Sequence, residues 1–167
     1  MKKKIVLLLL GLALVIGATV GCTKDEQNAA KDTLMAKQST VDVVGTIQIE
    51  DELGIKIVLP AIIENEACSI IDGSTGVIAF KYKGVSYTYY VEASDKELDV
   101  TGMAATLPNQ ETVLANNTTF KIAYETKGAG IAYWYDKNNK VACTLLISEQ
   151  ATREALTTMT ESILSVQ

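Results

Sequence analysis

Acidic residues in two short stretches are the side chains of this sequence that could do acid–base chemistry. The 167-residue chain contains no histidine, which excludes histidine-based acid–base catalysis, Ser-His-Asp and Cys-His nucleophiles and the commonest zinc ligand. Paired carboxylates could still hydrolyse glycosidic bonds, and carboxylates lie close together at Asp51 and Glu52 and at Asp95, Glu97 and Asp99. Both groups fall in a predicted turn or loop, where acidic side chains are usually only solvated. We therefore predict that the protein is not an enzyme and has no catalytic residues.

Two short motifs are similar to ligand-binding loops, but their surroundings do not fit. The G-A-G motif at residues 128–130 precedes a predicted strand, whereas a phosphate-binding glycine loop opens a helix. The D-K-N-N motif at residues 136–139 lacks the glycine and the terminal glutamate of a calcium loop, and it predicts a hairpin turn. The S-x-x-K and G-x-S-x-G arrangements of serine nucleophiles are also absent from the sequence. We expect neither a cofactor nor a metal site.

The N-terminal residues have the order of an export signal. Lys2, Lys3 and Lys4 form a basic start, and residues 5–21 carry no charge, which is the arrangement of a signal peptide. The apolar run is slightly shorter than the ~20 residues that a spanning helix needs, and small residues end it. Residues 1–21 are therefore predicted to be a lipoprotein signal peptide.

The four residues Thr19-Val20-Gly21-Cys22 resemble the lipobox of bacterial, Firmicute-type lipoproteins. The resemblance implies that a diacylglycerol is thioether-linked to Cys22, that the chain is cut before this residue, and that it is usually acylated further, for example with palmitate. Each buried CH₂ of such chains contributes ~0.8 kcal/mol, so lipid on Cys22 would hold the domain at the extracytoplasmic face of the cell membrane. An uncleaved membrane anchor and secretion with a free Cys22 are the alternatives, and all three export the chain.

Removal of residues 1–21 would make the mature chain more acidic. Those residues contain three of the 15 Lys and Arg residues and none of the 20 Asp and Glu residues, so the mature chain carries a formal charge of −8. That acidity argues against nucleic acid as a partner and against a polybasic contact with anionic lipid.

Residues 22–40 have few apolar residues and mixed charge, which predicts a lipid-anchored flexible tether. Residues 41–167 are long enough for a single domain with its own core.

Cys68 and Cys143 are the two cysteines that remain once Cys22 carries lipid. An even pair outside the cell is consistent with a disulfide. Each of them also lies in an apolar, strand-like run, where a buried free thiol is equally natural. The sequence leaves both alternatives open.

Runs of alternating apolar and polar residues predict β-strands along most of the chain. Turn residues separate these runs at Asp72-Gly73-Ser74, Lys83-Gly84, Asn116-Asn117 and Lys137-Asn138-Asn139. Ser148 is the predicted N-cap of one C-terminal helix, whose apolar face comprises Ala155, Leu156, Met159, Ile163 and Leu164. The sequence thus predicts an α+β fold, an antiparallel meander sheet of about 6–8 strands with one C-terminal helix packed on it.

Two further stretches complete the predicted domain. Ile47 and Ile49 alternate with polar residues before residues 51–54, which predicts a hairpin that turns there. Residues 94–110 lose the alternation and contain glycine and proline, which predicts a loop with one helical turn.

Aromatic residues supply the candidate binding site. Seven tyrosines and the single tryptophan lie in or beside predicted strands, and such rings are favoured on surfaces that bind peptide or sugar. The candidate binding face comprises Tyr87, Tyr89, Tyr133, Trp134 and Tyr135. The alternative is that the tyrosines pack on a half-buried sheet. A two-residue turn at residues 138–139 would place Trp134 opposite Cys143 and in the core, whereas a three-residue loop would place Tyr133 there.

The C-terminal two-thirds of the chain resembles the Firmicute domain-of-unknown-function family four-three-six-seven, which is found in lipoproteins and beside anti-sigma-factor-like membrane proteins. The resemblance rests on Leu59-Pro60 before the meander, on residues 87–94 running into residues 99–103, on residues 131–148 and on the closing helix. It implies an extracytoplasmic α+β domain that senses or binds a partner, and it brings no catalytic residues. Residues 136–139 depart from the Gly- and Asp-rich turn of the family.

Taken together, these patterns predict a non-enzymatic, surface-exposed lipoprotein that binds or senses a partner at the cell envelope. The partner would be an envelope protein or an extracellular ligand, and the membrane would be contacted through lipid on Cys22. The alternative is a structural or assembly accessory of an envelope protein complex. An extracytoplasmic enzyme is the remote alternative.

Overall fold

An antiparallel sheet organises the part of the chain that the computed structural model describes, residues 39–60 and 62–166. Its strands are β1 (Thr40–Val43), β2 (Glu64–Ile71), β3 (Thr75–Tyr82), β4 (Val85–Ala93), β5 (Asn109–Ala115), β6 (Thr118–Tyr124), β7 (Gly130–Asp136) and β8 (Val141–Ile147). Two α-helices accompany them, α1 (Thr46–Leu53) and α2 (Arg153–Leu164). The predicted signal peptide, Cys22 and nearly all of the predicted tether lie outside the described residues.

The eight strands form one sheet in the order β1-β2-β3-β4-β8-β7-β6-β5. Strands β1 to β4 make one meander and β5 to β8 make a second, and the two meanders join where β4 pairs with β8. All the neighbouring pairs are antiparallel. The predicted α+β fold, with a meander sheet and a C-terminal helix on it, is confirmed, and α1 is an additional short helix.

Two-residue turns fix the register of two hairpins. Lys83 and Gly84 have φ values of 48° and 80° between β3 and β4, and Asn116 and Asn117 have φ values of 48° and 62° between β5 and β6. Positive φ at both central residues is the geometry that matches the right-handed twist of paired strands. Gly and Asn adopt it at low cost, so the turns predicted at these positions are confirmed.

Both helices pack on the same face of the sheet, which we call the helix face. Helix α1 covers β1 to β3, and α2 covers β5 to β8. Between the helices and the sheet lie the largest fully buried side chains, among them Trp134, Tyr89, Phe120, Ile78 and Leu145. Burial of each such side chain contributes roughly 1.5–3 kcal/mol, so this layer is the main core. Among the described residues, no helix is both long and apolar enough to cross a membrane.

Residues 46–53 form α1, and the hairpin predicted there is wrong. Ile49 is completely buried, whereas Ile47 is 73% exposed. Side chains two residues apart share a face in a strand but point ~200° apart in a helix, so the two isoleucines separate. Gly54 ends the helix in the left-handed conformation with a φ of 64°. The apolar stripe therefore follows the i, i+4 spacing of Ile49 and Leu53.

Helix α2 begins at Arg153, four residues later than the sequence predicts. Its N-cap is Thr152, whose Oγ1 accepts a hydrogen bond from the backbone N–H of Ala155 over 3.1 Å. Ser148 is exposed and is not the cap. The buried residues of α2 include Leu156, Met159, Ile163 and Leu164, which confirms most of the predicted apolar face.

Residues 94–108, which we call the strap, cross the opposite face of the sheet from β4 to β5. The backbone N–H of Val100 donates a hydrogen bond to the Oγ1 of Thr144 on β8 over 2.9 Å. Leu107 packs with Ala123 and Ile131 in a second, smaller apolar cluster. The helical turn predicted in this segment is present as a 3₁₀ turn at Ala104–Thr106. The strap therefore packs on β6, β7 and β8, on the sheet face that the helices leave open.

Candidate functional site

The structure separates the five aromatic residues of the predicted binding face. Tyr87, Tyr89 and Trp134 are buried in the core, with exposed fractions of 4%, 1% and 0%. Tyr133 and Tyr135 lie on the strap face and are half-buried. A continuous aromatic binding face is therefore wrong for this fold, because alternate side chains of β7 point to opposite faces of the sheet.

The register of the β7–β8 hairpin decides which of these rings is buried. Trp134 lies opposite Cys143, and Asp136 lies opposite Val141, which is the register that the sequence associates with a buried tryptophan. The ring of Trp134 stacks on that of Tyr89, with their centroids 5.7 Å apart and their planes 14° apart. Both rings therefore serve the core and are closed to a ligand.

Tyr133 is held under the strap by charged neighbours. Lys121 lies opposite Tyr133 in the β6–β7 ladder, and its Nζ lies 5.7 Å from the centroid of the Tyr133 ring. The same ammonium group forms an ion pair with Glu97 of the strap, and this hydrogen bond raises the pKa of Lys121. Burial raises the pKa of the Tyr133 hydroxyl. The ion pair of Lys121 with Glu97 thus fastens the strap to the sheet beside Tyr133.

Cys68 and Cys143 are free thiols. They lie on β2 and β8, which β3 and β4 separate in the sheet, so their Cα atoms are on the order of 14 Å apart. A disulfide needs Cα atoms within about 7 Å, and the disulfide alternative is therefore excluded in this fold. Burial raises the pKa of Cys143 to about 12, and burial with a hydrogen bond to Glu66 raises that of Cys68 to about 12. Neither thiol is an activated nucleophile.

A polar cleft lies at one end of the sheet, where alternate turns of the second meander meet. The β5–β6 turn and the β7–β8 loop are both at this end, since every second turn of a meander returns to the same end. The strap also begins there, because β4 runs antiparallel to β8. The cleft, which we call the turn cleft, has a volume of about 610 Å³ and is lined by Glu97, Asn116, Asn117, Thr118, Thr119, Tyr135, Asp136, Lys137, Asn138 and Leu164.

The wall of the turn cleft formed by the β7–β8 loop is fixed by Asp136. Its Oδ1 accepts hydrogen bonds from the backbone N–H groups of Asn138 and Asn139 over 2.9 and 3.1 Å. Its Oδ2 accepts one from the side-chain amide of Asn139 over 2.6 Å. Only 8% of Asp136 is exposed. The carboxylate is thus used to hold the loop, which agrees with the predicted hairpin turn.

Side chains that remain available to a ligand are mostly amides and hydroxyls. Asn116, Asn117 and Asn138 are exposed at the rim of the turn cleft, and each amide offers both a donor and an acceptor. Tyr135 supplies the one aromatic ring of the cleft. The sequence pattern identifies these asparagines only as turn residues. Their position in alternate turns of one meander is the signal that could have placed them together.

Two other concave surfaces offer less chemistry. A groove of about 600 Å³ between α1 and β2 is lined by Val43, Val44, Ile47 and Cys68 among others, and its thiol is protonated at neutral pH. A second groove of about 680 Å³ lies beside the start of α2 and includes Arg153. The guanidinium group of Arg153 is already paired with Glu111 at 2.8 Å.

Neither a metal cluster nor a known relative adds to the chemistry of the turn cleft. In residues 39–60 and 62–166, no group of three His, Cys, Asp or Glu side chains lies close enough to hold a metal ion. No family model matches the chain, and no match was found among curated proteins or solved structures. The side chains of the cleft themselves therefore carry the functional inference.

Proposed function

We propose that this protein is a non-enzymatic lipoprotein that binds a polar partner at the cell envelope through the turn cleft. The observation that carries the proposal is the composition of the cleft, which joins exposed amide groups to the half-buried ring of Tyr135. Such a mixture of directional polar groups and one aromatic surface is suited to recognition. The resemblance of the strands to a family of extracytoplasmic domains implies the same kind of role.

The carboxylates of the cleft support binding rather than catalysis. Asp136 is engaged by three hydrogen bonds within its own loop. Glu97 is paired with Lys121. Hydrolysis of a glycosidic bond needs one carboxyl group as an acid and a second as a base or nucleophile. Neither group of this cleft is available for those roles without breaking a contact that holds the cleft together.

Attachment to the extracytoplasmic face of the membrane through lipid on Cys22 is the second part of the proposal. The basic start, the uncharged run and the Thr19-Val20-Gly21-Cys22 motif support it. Cys22→Ala should abolish incorporation of labelled palmitate and release the chain from membranes, whereas Cys68→Ala should keep both. A Cys22→Ala product that stays labelled and membrane-bound would contradict the anchor.

Binding at the turn cleft can be tested on the surface of living cells with a photo-crosslinking amino acid. The full chain carries p-benzoylphenylalanine at Asn138 in the cleft or, as a control, at Lys127 at the other end of the sheet; both residues are exposed. We expect a covalent adduct with an envelope component from position 138 and none from position 127. Adding Tyr135→Ala should remove the adduct. Equal adducts from both positions, or an adduct that Tyr135→Ala leaves unchanged, would contradict the proposal.

The open edge of β5 favours a second candidate function, that of an assembly accessory. Within the described residues β5 ends the sheet, and its Leu114 is 71% exposed. Glu111 is the only charged residue of β5, and it is neutralised by Arg153, so no free charge blocks the addition of a strand from a partner. Leu114→Lys should then abolish association with an envelope complex, while leaving the adduct at position 138 intact.

A further inference from the structure

We infer that the ligand of the turn cleft is a neutral oligosaccharide segment. This inference rests on the proposed function and adds the chemical class of the ligand. It follows from three properties of the cleft, namely its balanced charge, its excess of neutral polar groups and the presence of one aromatic ring in a rigid frame.

The charges of the turn cleft cancel. Glu97 is paired with Lys121, and the carboxylate of Asp136 accepts three hydrogen bonds within its own loop. Lys137 is the one cation among the lining residues, so these two carboxylates are matched in number by two ammonium groups. A phosphate-rich or acidic ligand would meet one exposed cation in a domain that is acidic overall, and electrostatic attraction of an anion normally needs several. A basic ligand would find both carboxylates already occupied. A neutral ligand avoids both penalties.

The lining of the cleft is polar on most sides. Of its ten residues only Leu164 is aliphatic and only Tyr135 is aromatic, whereas sites for apolar small molecules are lined mainly by hydrophobic side chains. Amides and hydroxyls both donate and accept hydrogen bonds, which matches the hydroxyl groups of a sugar. The volume of about 610 Å³ lies within the ~300–1,000 Å³ range of small-ligand sites.

Tyr135 provides an aromatic surface for a sugar ring, and the two turns provide a rigid frame around it. A tyrosine ring presents an apolar surface with a polar tip, and this combination suits the C–H face and the hydroxyl edge of a pyranose. The Asn116-Asn117 turn has a defined φ pair, and Asp136 holds the facing loop. Groups that are already ordered lose little conformational entropy on binding, so weak individual contacts can add up.

The ligand class can be tested by calorimetry on the full chain in detergent micelles. The probes are maltotetraose, cellotetraose and chitotetraose as neutral oligosaccharides, tetragalacturonate as an anion and tetralysine as a cation. We expect a neutral tetrasaccharide to bind, with a dissociation constant that changes less than about twofold when the salt concentration is raised, because no ion pair is formed. Tyr135→Ala should weaken that binding about tenfold or more, as truncation of an aromatic anchor does.

The control variant is Tyr90→Ala, which removes a half-buried tyrosine of β4 that does not line the cleft and should leave binding unchanged. Fluorescence of the buried Trp134 reports whether each variant is folded. Failure of all three neutral probes, or tighter binding of tetragalacturonate or tetralysine, would overturn the neutral class. In either case the adduct at position 138 would persist if the proposed function is right, and its absence would overturn both proposals.

Discussion

The hydroxyl group of Tyr89 donates a hydrogen bond to the sulfur atom of Cys143 over 3.1 Å in the core. Both side chains lie beneath the helices, with exposed fractions of 1% and 2%. Burial, with a smaller contribution from Cys143, raises the pKa of Tyr89 well above its usual value. This buried polar pair beside the Trp134 ring ties β4 to β8, the junction of the two meanders.

The effects of substituting the two members of this pair should not be additive. Cys143→Ala leaves the Tyr89 hydroxyl buried without an acceptor, at a cost of ~1–3 kcal/mol in addition to the small cavity. Tyr89→Phe removes that hydroxyl. In urea unfolding followed by Trp134 fluorescence, we expect the double variant to be ~1 kcal/mol more stable than the sum of the single variants predicts. Strict additivity would show that the hydrogen bond contributes nothing.

The buried thiols should make the protein less stable at alkaline pH. Their pKa is raised from 9.0 to about 12 by burial, so the folded state keeps them protonated while the unfolded state ionises above pH 9. The stabilisation is therefore complete below pH 9 and is lost as the pH rises towards 12, at most ~1.4 kcal/mol per pH unit for Cys143.

Urea unfolding between pH 7.5 and 10.5 measures this effect. A Cys68→Ala, Cys143→Ala double variant should show a flatter dependence of the free energy of unfolding on pH. Folded protein should also react slowly with a thiol reagent at pH 8, and reaction should become fast in guanidinium chloride. Rapid reaction of Cys68 and Cys143 in the folded state would contradict the assigned burial.

Gly76 should tolerate no side chain. A Cβ atom at this position would lie 2.5 Å from the Cγ2 of Ile49 and 2.9 Å from the Cγ2 of Val91, so α1 would have to move away from β3. We expect Gly76→Ala to lower the free energy of unfolding by ~1–3 kcal/mol, as overpacking does. Gly45→Ala is the matched control, because its Cβ would meet no atom within 4 Å. Since Gly45 is the N-cap of α1, where alanine is less favourable than glycine, its loss should stay below ~1 kcal/mol. Equal effects of the two substitutions would argue against close packing of α1.

Asp136 should stabilise the fold and shape the turn cleft. Asp136→Ala removes three hydrogen bonds of the β7–β8 loop, with an expected loss of ~1–3 kcal/mol. Asp95→Ala changes an exposed carboxylate of the strap and should cost less than ~0.5 kcal/mol. The same Asp136→Ala variant should also lose the adduct at position 138, although the charged side chains of Lys137 and Glu97 are unchanged. Retention of full stability would show that the loop does not depend on this carboxylate.

Strand patterns predicted the sheet well because side chains alternate strictly in it. The register that buries Trp134 opposite Cys143 was one of two alternatives in the sequence, and only the hairpin geometry could choose between them. The prediction for the α1 segment is wrong because it uses the same alternation that correctly predicts the strands. Ile47 and Ile49 fit a period of two, and the contact of Ile49 with Gly76, which is distant in sequence, favours the helix instead.

The site was less predictable than the fold. Tyr135 was among the candidate residues, but Tyr87, Tyr89 and Trp134 proved to be core residues. The strap explains part of this result, since it turns the second face of the sheet into another packed layer around Leu107. The pairing of β8 with β4 determines which turns lie close together. A single sequence contains no local pattern that predicts this long-range pairing.

The strand order also determines how the sheet would respond to a pulling force. The chain enters through β1, where the N–H of Ser39 bonds to the carboxylate of Asp72, at the same end of the sheet as the turn cleft. β1 and β7 are five strand positions apart, or about 24 Å. Tension between the proposed lipid anchor and the proposed ligand of the turn cleft would run across the strands, along their hydrogen bonds, so these bonds would break in succession. The four-residue β1 would detach first, while the other seven strands stay paired.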